Sequence, residues 1–263
     1  MSHIKNLWKY RHYILTSIKS EFVTKFIRSK LGGLWIVLNP LAQVAIYALV
    51  LSAVLAAKLP GIDSKYAYAI YLMAGILGWN LFFEIITRMT NVFVENANLL
   101  KKMAFPKMTL PLIIIGSAII NNILLFFSIL LVFGLLGHTI STAVIWIIPL
   151  TLITVFLGAS MGLFLGIVNV FIRDTQQIVP IILQFWFWLT PIVYSWSIIP
   201  QKYLYLVMLN PLSGIIQGYQ NILVYNKQPE LSVLFYPLVL GTFIAMLSLY
   251  MYARANEEMA DVL

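Results

Sequence analysis

Glu84 and Arg88 stand one helical turn apart inside an apolar stretch, the spacing at which a carboxylate and a guanidinium pair along a helix. Glu84 is the only carboxylate well inside a membrane-length run, so the two form either a structural ion pair or a contact for a polar cargo. A second cationic group, Lys25, Arg28 and Lys30, precedes the first such run. At a bilayer surface these side chains either anchor the chain by charge or attract a phosphate group. A third set lies along residues 171 to 200, where Gln177, Gln184, Trp188 and Ser195 fall within about 40° of one another at 100° per residue. Side chains that hydrogen-bond are costly against hydrocarbon, so this stripe turns toward another helix or toward a water-filled path. Phe185, Tyr194 and Trp196 add aromatic faces, which suit sugar rings with their C–H surfaces between hydroxyls. The same stretch begins with the charged turn Arg173-Asp174 and is expected to be broken at Pro180 and Pro191.

Other chemistries have no residues to carry them. There is no Gly-x-x-x-x-Gly-Lys-Ser/Thr loop for nucleotide phosphates, no His-Glu-x-x-His, and no cysteine for disulfides, thiolate ligands or nucleophiles. His3, His12 and His138 are scattered, with no adjacent acid cluster to make a metal site. The chain is therefore expected to be non-catalytic and to hold no metal or cofactor of its own. A proton-coupled carrier would carry more intramembrane acids than Glu84 alone.

Composition places these groups in a membrane. Of 263 residues 61% are hydrophobic and 10% charged, and the mean hydropathy is +0.92. That is an integral membrane protein of all-α class, with no soluble core. Six apolar runs reach the ~20 residues that a hydrocarbon core requires, at 34–57, 66–87, 108–136, 143–172, 178–199 and 231–253. An even number keeps both ends on one side. With the N-terminus inside, 13 Lys and Arg fall on inner segments and four on outer ones, which sets that side as cytoplasmic. The +8 net charge thus reads as topology and carries no implication of nucleic acid.

Three further segments organise the rest. Residues 1–33 place Ile4, Trp8, Leu15, Phe22 and Phe26 near one helical face, with Ile14 and Ile18 beside it, as an amphipathic interface helix does. Between the second and third runs, residues 96–106 form a short helix in which Leu99, Leu100, Met103 and Phe105 expose apolar surface beside Asn98, Lys101 and Lys102. Such a loop helix seats in a partner's groove or lies on the membrane surface. Residues 201–225 are apolar but split at Asn210-Pro211, which predicts two half-length helices dipping into the outer leaflet in place of a seventh span. The spanning domain is expected over 34–257, with a cytoplasmic tail at 258–263. Gly158, Gly162 and Gly166 make a small-residue ridge for close helix packing, and Asn121 and Asn122 read as interhelical hydrogen-bonders.

Taken in order, Leu34-Trp35 with Asn39-Pro40, the stretch from Asn98 to Lys107 with Leu110-Pro111, Arg173-Asp174, Thr190 to Tyr194 with Pro200, and Asn210 to Tyr219 resemble the membrane subunit of type 2 ATP-binding-cassette exporters, specifically the polysaccharide-export permeases. The resemblance runs over nearly the whole chain. It implies a homodimer working with two copies of a cytoplasmic ATPase that supplies the ATP and magnesium site. It also implies a polyisoprenoid-pyrophosphate-linked glycan as cargo, most closely an O-antigen, and a bacterial inner membrane location. The helix from Asn98 to Phe105 would then be the coupling helix, and the segment carrying Asn210, Pro211 and Tyr219 the outer gate. Lys25, Arg28, Lys30 and Arg88 would guide the lipid pyrophosphate at the entrance, and Gln177, Gln184, Phe185, Trp188, Tyr194 and Trp196 would wall the glycan channel. A carrier or channel without an ATPase, a membrane-embedded glycosyltransferase, and an exporter of a small lipid or drug are the rival readings. Eight aromatics among the 21 residues from Phe185 to Tyr205, against 14% overall, favour sugar over drug.

Overall fold

The computed structural model describes residues 9–27, 32–35, 38, 41–42, 67–102, 106–255 and 258–262. Within them ten helices with defined ends follow in order: α1 Arg11–Ile27, α2 Ala67–Glu95, α3 Ala97–Lys102, α4 Thr109–Leu135, α5 Ile147–Phe171, α6 Thr175–Leu189, α7 Gln201–Met208, α8 Pro211–Leu223, α9 Leu231–Ala255 and α10 Glu258–Val262. No strand occurs among the described residues. Among the described residues four helices are long and apolar enough to cross a membrane: α2, α4, α5 with the 3-10 turn Thr142–Trp146 ahead of it, and α9. They match four of the six expected runs. The first expected run, 34–57, lies almost wholly outside the described residues. The fifth, 178–199, is helical only to Leu189, where the 15-residue α6 stops, and then holds a short 3-10 turn at Trp196–Ile198.

The central element is α2, buried on nearly every face. Its N-terminal half, with α8 and the end of α6, builds one core around Tyr71, Phe82 and Tyr219. Its C-terminal half builds a second around Met89 and Phe93, joined by Leu100 of α3 and Met259 of α10. By contrast α4 and α9 turn Phe127, Leu131, Leu135, Phe235, Phe243 and Met246 outward, each more than 60% exposed. Water would not tolerate two such faces, whereas lipid is their ordinary solvent.

The glycine ridge of α5 packs against α2. A Cβ on Gly162 would stand 2.7 Å from the Met89 Cβ, and one on Gly166 2.5 Å from the Met89 carbonyl oxygen. Asparagines add the hydrogen bonds that apolar contact lacks. Asn122 Nδ2 donates to the Leu77 carbonyl at 2.9 Å and Asn169 Nδ2 to the Thr90 carbonyl at 2.8 Å, both on α2. Asn169 Oδ1 also accepts from the Gln176 N–H, so one side chain ties α5, α2 and the first turn of α6.

The helix α6 runs straight through Pro180 and ends before Pro191, so only the second expected break occurs. Pro180 removes one N–H from an exposed side of the helix; Pro191 acts harder, holding Thr190 extended at φ −99° and ψ 135°. Ser195, expected on the stripe of α6, therefore lies beyond the helix. The carbonyls released by this break find donors on α2 and α8. Tyr68 donates to Val193 at 2.7 Å, Tyr71 to Tyr194 at 3.1 Å, and Gln220 Nε2 to Pro191 at 2.9 Å.

Residues 201–225 do form two helices split at Asn210-Pro211. The first, α7, buries no side chain; the second, α8, is enclosed by α2, α5 and α9. Asn210 caps α8 by accepting from the Leu212 N–H at 3.0 Å, accepts from Trp186 Nε1 at 2.8 Å, and donates to Thr190 Oγ1 at 2.9 Å. Pro211 fills the first helical position, where its missing N–H removes nothing.

Two substitutions test this packing. Gly166→Ala should lower thermal stability by about 1–3 kcal/mol despite the helix preference for Ala, while Gly134→Ala, with nothing within 4 Å, should be neutral or stabilising. Equal melting curves for the two purified variants would refute the close approach. Asn210→Ala should cost about 2 kcal/mol, above the ~1 of an ordinary cap, because it also strands the Trp186 indole N–H. Asn210→Asp, which keeps both acceptor contacts, should recover most of that loss in the same melting assay.

Candidate functional site

At the end of the bundle where α3 and α10 lie, α1 docks across α4. Ile18 occupies the space over Gly116, and Ile14, Ile18 and Phe22 face the bundle, while Leu15 stays exposed. This orientation turns Glu21 inward. Arg88 Nη2 reaches Glu21 Oε1 at 2.8 Å and Oε2 at 2.9 Å, and its Nη1 donates to Glu84 Oε1 at 3.1 Å. Ser117 Oγ donates to Glu21 Oε2 at 2.7 Å and Asn121 Nδ2 to Glu84 Oε1 at 2.6 Å. The expected pair Glu84–Arg88 is thus real, but it is one edge of a five-residue network across α1, α2 and α4.

This network borders two cavities. One, of about 800 Å³, is walled by Tyr13, Thr16, Ser17, Ser20 and Thr24 of α1 together with Glu21, Glu84 and Arg88. The other, of about 430 Å³, continues along α2 past Asn91, Glu95 and Asn96. Arg88 enters these cavities already paired with two carboxylates. Of the other entrance cations, Arg28 and Lys30 lie outside the described residues, as does the side chain of Lys25.

The helix α6 presents two different faces. Thr175, Val179, Leu183 and Phe187 turn inward at four-residue spacing, and Phe187 meets Trp79 edge-on at 5.4 Å. Gln177, Gln184, Phe185 and Trp188 all point outward, with Phe185 and Trp188 at 69% and 54% exposure. One outward face therefore carries two amides and two aromatics amid Ile178, Ile181 and Ile182. Tyr194 and Trp196 stand beyond the helix end, both half-buried. Trp196 Nε1 is buried with no hydrogen-bond partner.

The loop helix α3 follows α2 after a single residue, Asn96, whose carbonyl accepts from the N–H groups of Leu99 and Leu100 at 3.0 Å. Asn98 and Lys101 are exposed, but Leu100 is not: it is buried in the second core with Met259, and Leu99 is packed against that core. Two of the apolar residues expected to face a partner thus hold α3 to its own chain, because the tail helix α10 covers them. Met103 and Phe105, and the side chain of Lys102, fall outside the described residues. Of the residues expected at an outer gate, Asn210 and Pro211 cap α8, and Tyr219 is fully buried with its hydroxyl 3.0 Å from Thr151 Oγ1.

Sequence reasoning missed Glu21, Ser117, Tyr68, Tyr71 and Gln220. A signal existed for Glu21, the one acid among seven cations before residue 34, set between Ile18 and Phe22. Tyrosines at i and i+3 gave no comparable sign, since their partners are backbone carbonyls of a distant break.

The chain resembles curated permeases along its length. An O-antigen export system permease protein RfbA of Klebsiella pneumoniae is 26% identical over 249 residues, covering 92% of each chain. RfbA of Myxococcus xanthus is 24% identical over 261 residues, covering 98% of each. The polysialic acid transport protein KpsM of Escherichia coli is 21% identical over 201 residues, 75% of each. The profile of the ABC-2 type transporter family matches residues 12–224, from the first turn of α1 to the end of α8, and with most of its length so matched this chain belongs to the ABC-2 type transporter family.

Proposed function

We propose that this chain is the membrane-spanning subunit of an ATP-driven exporter that carries a lipid-linked polysaccharide, foremost an O-antigen, across the bacterial inner membrane. The observation that carries the reading is the end-to-end likeness to relatives named as O-antigen export permeases. The outward face of α6 supports it, because amides and aromatics together suit a sugar chain better than lipid. The working unit is a homodimer with two copies of a cytoplasmic ATPase, which binds ATP and magnesium and hydrolyses ATP; the permease itself catalyses nothing. Each protomer crosses the membrane six times with both ends in the cytoplasm. The first crossing is at 34–57 and the fifth is α6 completed by the irregular stretch to Ile199.

In this reading α3 is the coupling helix. It presents Asn98 and Lys101 to the ATPase, while Leu99 and Leu100 pack it into the core shared by α2 and α10; Lys102, Met103 and Phe105 are assigned to the same contact from the sequence. Motion of α3 passes into α2, which runs unbroken for 29 residues. The ATPase drives that motion only because it binds the two conformations with different free energies. The helix α1 lies at the inner interface with Leu15 toward lipid, and Lys25, Arg28 and Lys30 hold the pyrophosphate of the lipid carrier. The glycan passes Gln177, Gln184, Phe185 and Trp188 between the two protomers, then Tyr194 and Trp196. Stacking of ~1 kcal/mol per ring holds such a chain without trapping it. The helices α7 and α8 re-enter the outer leaflet as the gate.

Co-purification from native membranes should yield a stoichiometric partner with ATPase activity, and an oligomer of this chain alone would withdraw the exporter reading. Lys101→Glu should reduce surface polymer at least about tenfold, as expected for loss of a contact worth ~1.4 kcal/mol or more, with the chain still inserted; normal export would remove α3 from the coupling role. Trp188→Ala should slow export several-fold while cross-linked dimer stays at the wild-type level, and loss of the dimer with unaltered transport per remaining dimer would make Trp188 a packing residue.

A further inference from the structure

The cavity between α1 and α2 has the wrong charge for a phosphate and the right lining for a sugar. Its titratable walls are Glu21, Glu84 and Arg88, and Glu95 borders its continuation, which makes three carboxylates against one guanidinium. That guanidinium is committed to both Glu21 and Glu84. Among the described residues no lysine lines either cavity. An anion placed there would meet net negative charge at short range.

The other side chains around the first cavity carry hydroxyls, whereas its continuation also meets Val92, Leu110, Ile113 and Ile114. Thr16, Ser17, Ser20 and Thr24 form one stripe along α1 and open into the cavity. Asn91 and Asn96 lie further along α2. Acceptor carboxylates, hydroxyls that both donate and accept, and amides are the groups that pair with a ring of vicinal hydroxyls. The volume of about 800 Å³ is within the usual range for a bound small molecule. Thr24, at one end of the stripe, is the chain neighbour of Lys25, and Tyr13 lies about 16 Å away along the helix at 1.5 Å per residue. Thr24 is thus the end of the stripe nearest in sequence to Lys25, Arg28 and Lys30, which the exporter reading assigns to the pyrophosphate.

We infer that the cavity walled by α1 and by Glu84 and Arg88 of α2 is a subsite for the uncharged, hydroxyl-rich sugars next to the lipid pyrophosphate, and that Arg88 shapes this subsite and is not a pyrophosphate ligand. This rests on the exporter reading above and names the part of the cargo that the entrance recognises. The cavity then discriminates a glycosylated lipid from the bare carrier before either reaches the channel.

The test uses the full chain in lipid nanodiscs and two labelled probes, a polyprenyl pyrophosphate bearing a neutral disaccharide and the same polyprenyl pyrophosphate without sugar. Wild-type protein should bind the glycosylated probe about tenfold more tightly, the equivalent of one or two net hydrogen bonds. Ser20→Leu with Thr24→Leu fills the cavity with better helix formers, so it should abolish the preference and leave binding of the bare probe intact, which also reports that the chain is folded. Lys25→Gln, Arg28→Gln and Lys30→Gln together should weaken both probes by the same factor. Equal wild-type affinities for the two probes, or a preference that survives the filled cavity, would overturn the subsite while leaving the exporter reading standing. Wild-type protein that binds neither probe would overturn the substrate class and the subsite together.

Discussion

A backbone carbonyl that faces hydrocarbon without a donor costs several kcal/mol, and the stretch from Thr190 to Pro200 would leave a series of them bare. This break between α6 and α7 lies against the apolar core. Tyr68 and Tyr71 of α2 and Gln220 of α8 supply donors to Val193, Tyr194 and Pro191. Asn210 closes the other side through Trp186 and Thr190. Each donor comes from an element fixed by its own burial, so the break is held by the core and not by its own sequence. Non-helical backbone at membrane depth is tolerated on that condition alone.

The same constraint explains why α2 is central. A helix surrounded by other helices has no lipid to drive its packing, so contact must come from close approach and from polar links. The glycines of α5 provide the first, and Asn122, Asn169 and Asn121 provide the second. Because α2 is gripped along both halves and leads through Asn96 into α3, its two ends cannot move independently without breaking these links. Mechanical continuity between the loop helix and the tyrosine-held break is thus a by-product of solving the hydrogen-bond problem. The Glu21–Arg88–Glu84 network extends the same body to α1.

Spans with long uninterrupted apolar runs were legible from composition alone, since length and hydropathy decide them: α4, α9, and α5 taken with its leading 3-10 turn lie within about two residues of their expected limits. The expected end of α2 was eight residues short, because Arg88 looked like the edge of a span when it is a buried-side partner of Glu21. Asn210-Pro211 announced its own turn, as a cap followed by proline does. What could not be read were the long-range matches. The outward stripe of Gln177, Gln184 and Trp188 was visible from periodicity, but its buried counterpart needs Trp79 and Phe82 from another helix. Leu100 looked like surface for a partner because nothing local says that α10, more than 150 residues later, covers it.

In the proposed reading charge divides the entrance into two regions with different selectivity. Lys25, Arg28 and Lys30 would attract any lipid with a phosphate, and alone they would not tell a loaded carrier from an empty one. Selection requires a second group whose contacts exist for one ligand only. The cavity on α1 and α2 is proposed as such a place: two carboxylates hold Arg88, so its net negative field disfavours a phosphate. A headgroup is then best accommodated when its anionic part and its neutral part lie in that order along α1. The network that fixes α1 to the spine and the network that would read the first sugars are the same set of side chains. On that reading, recognition at the entrance and the position of α1 are not separable quantities.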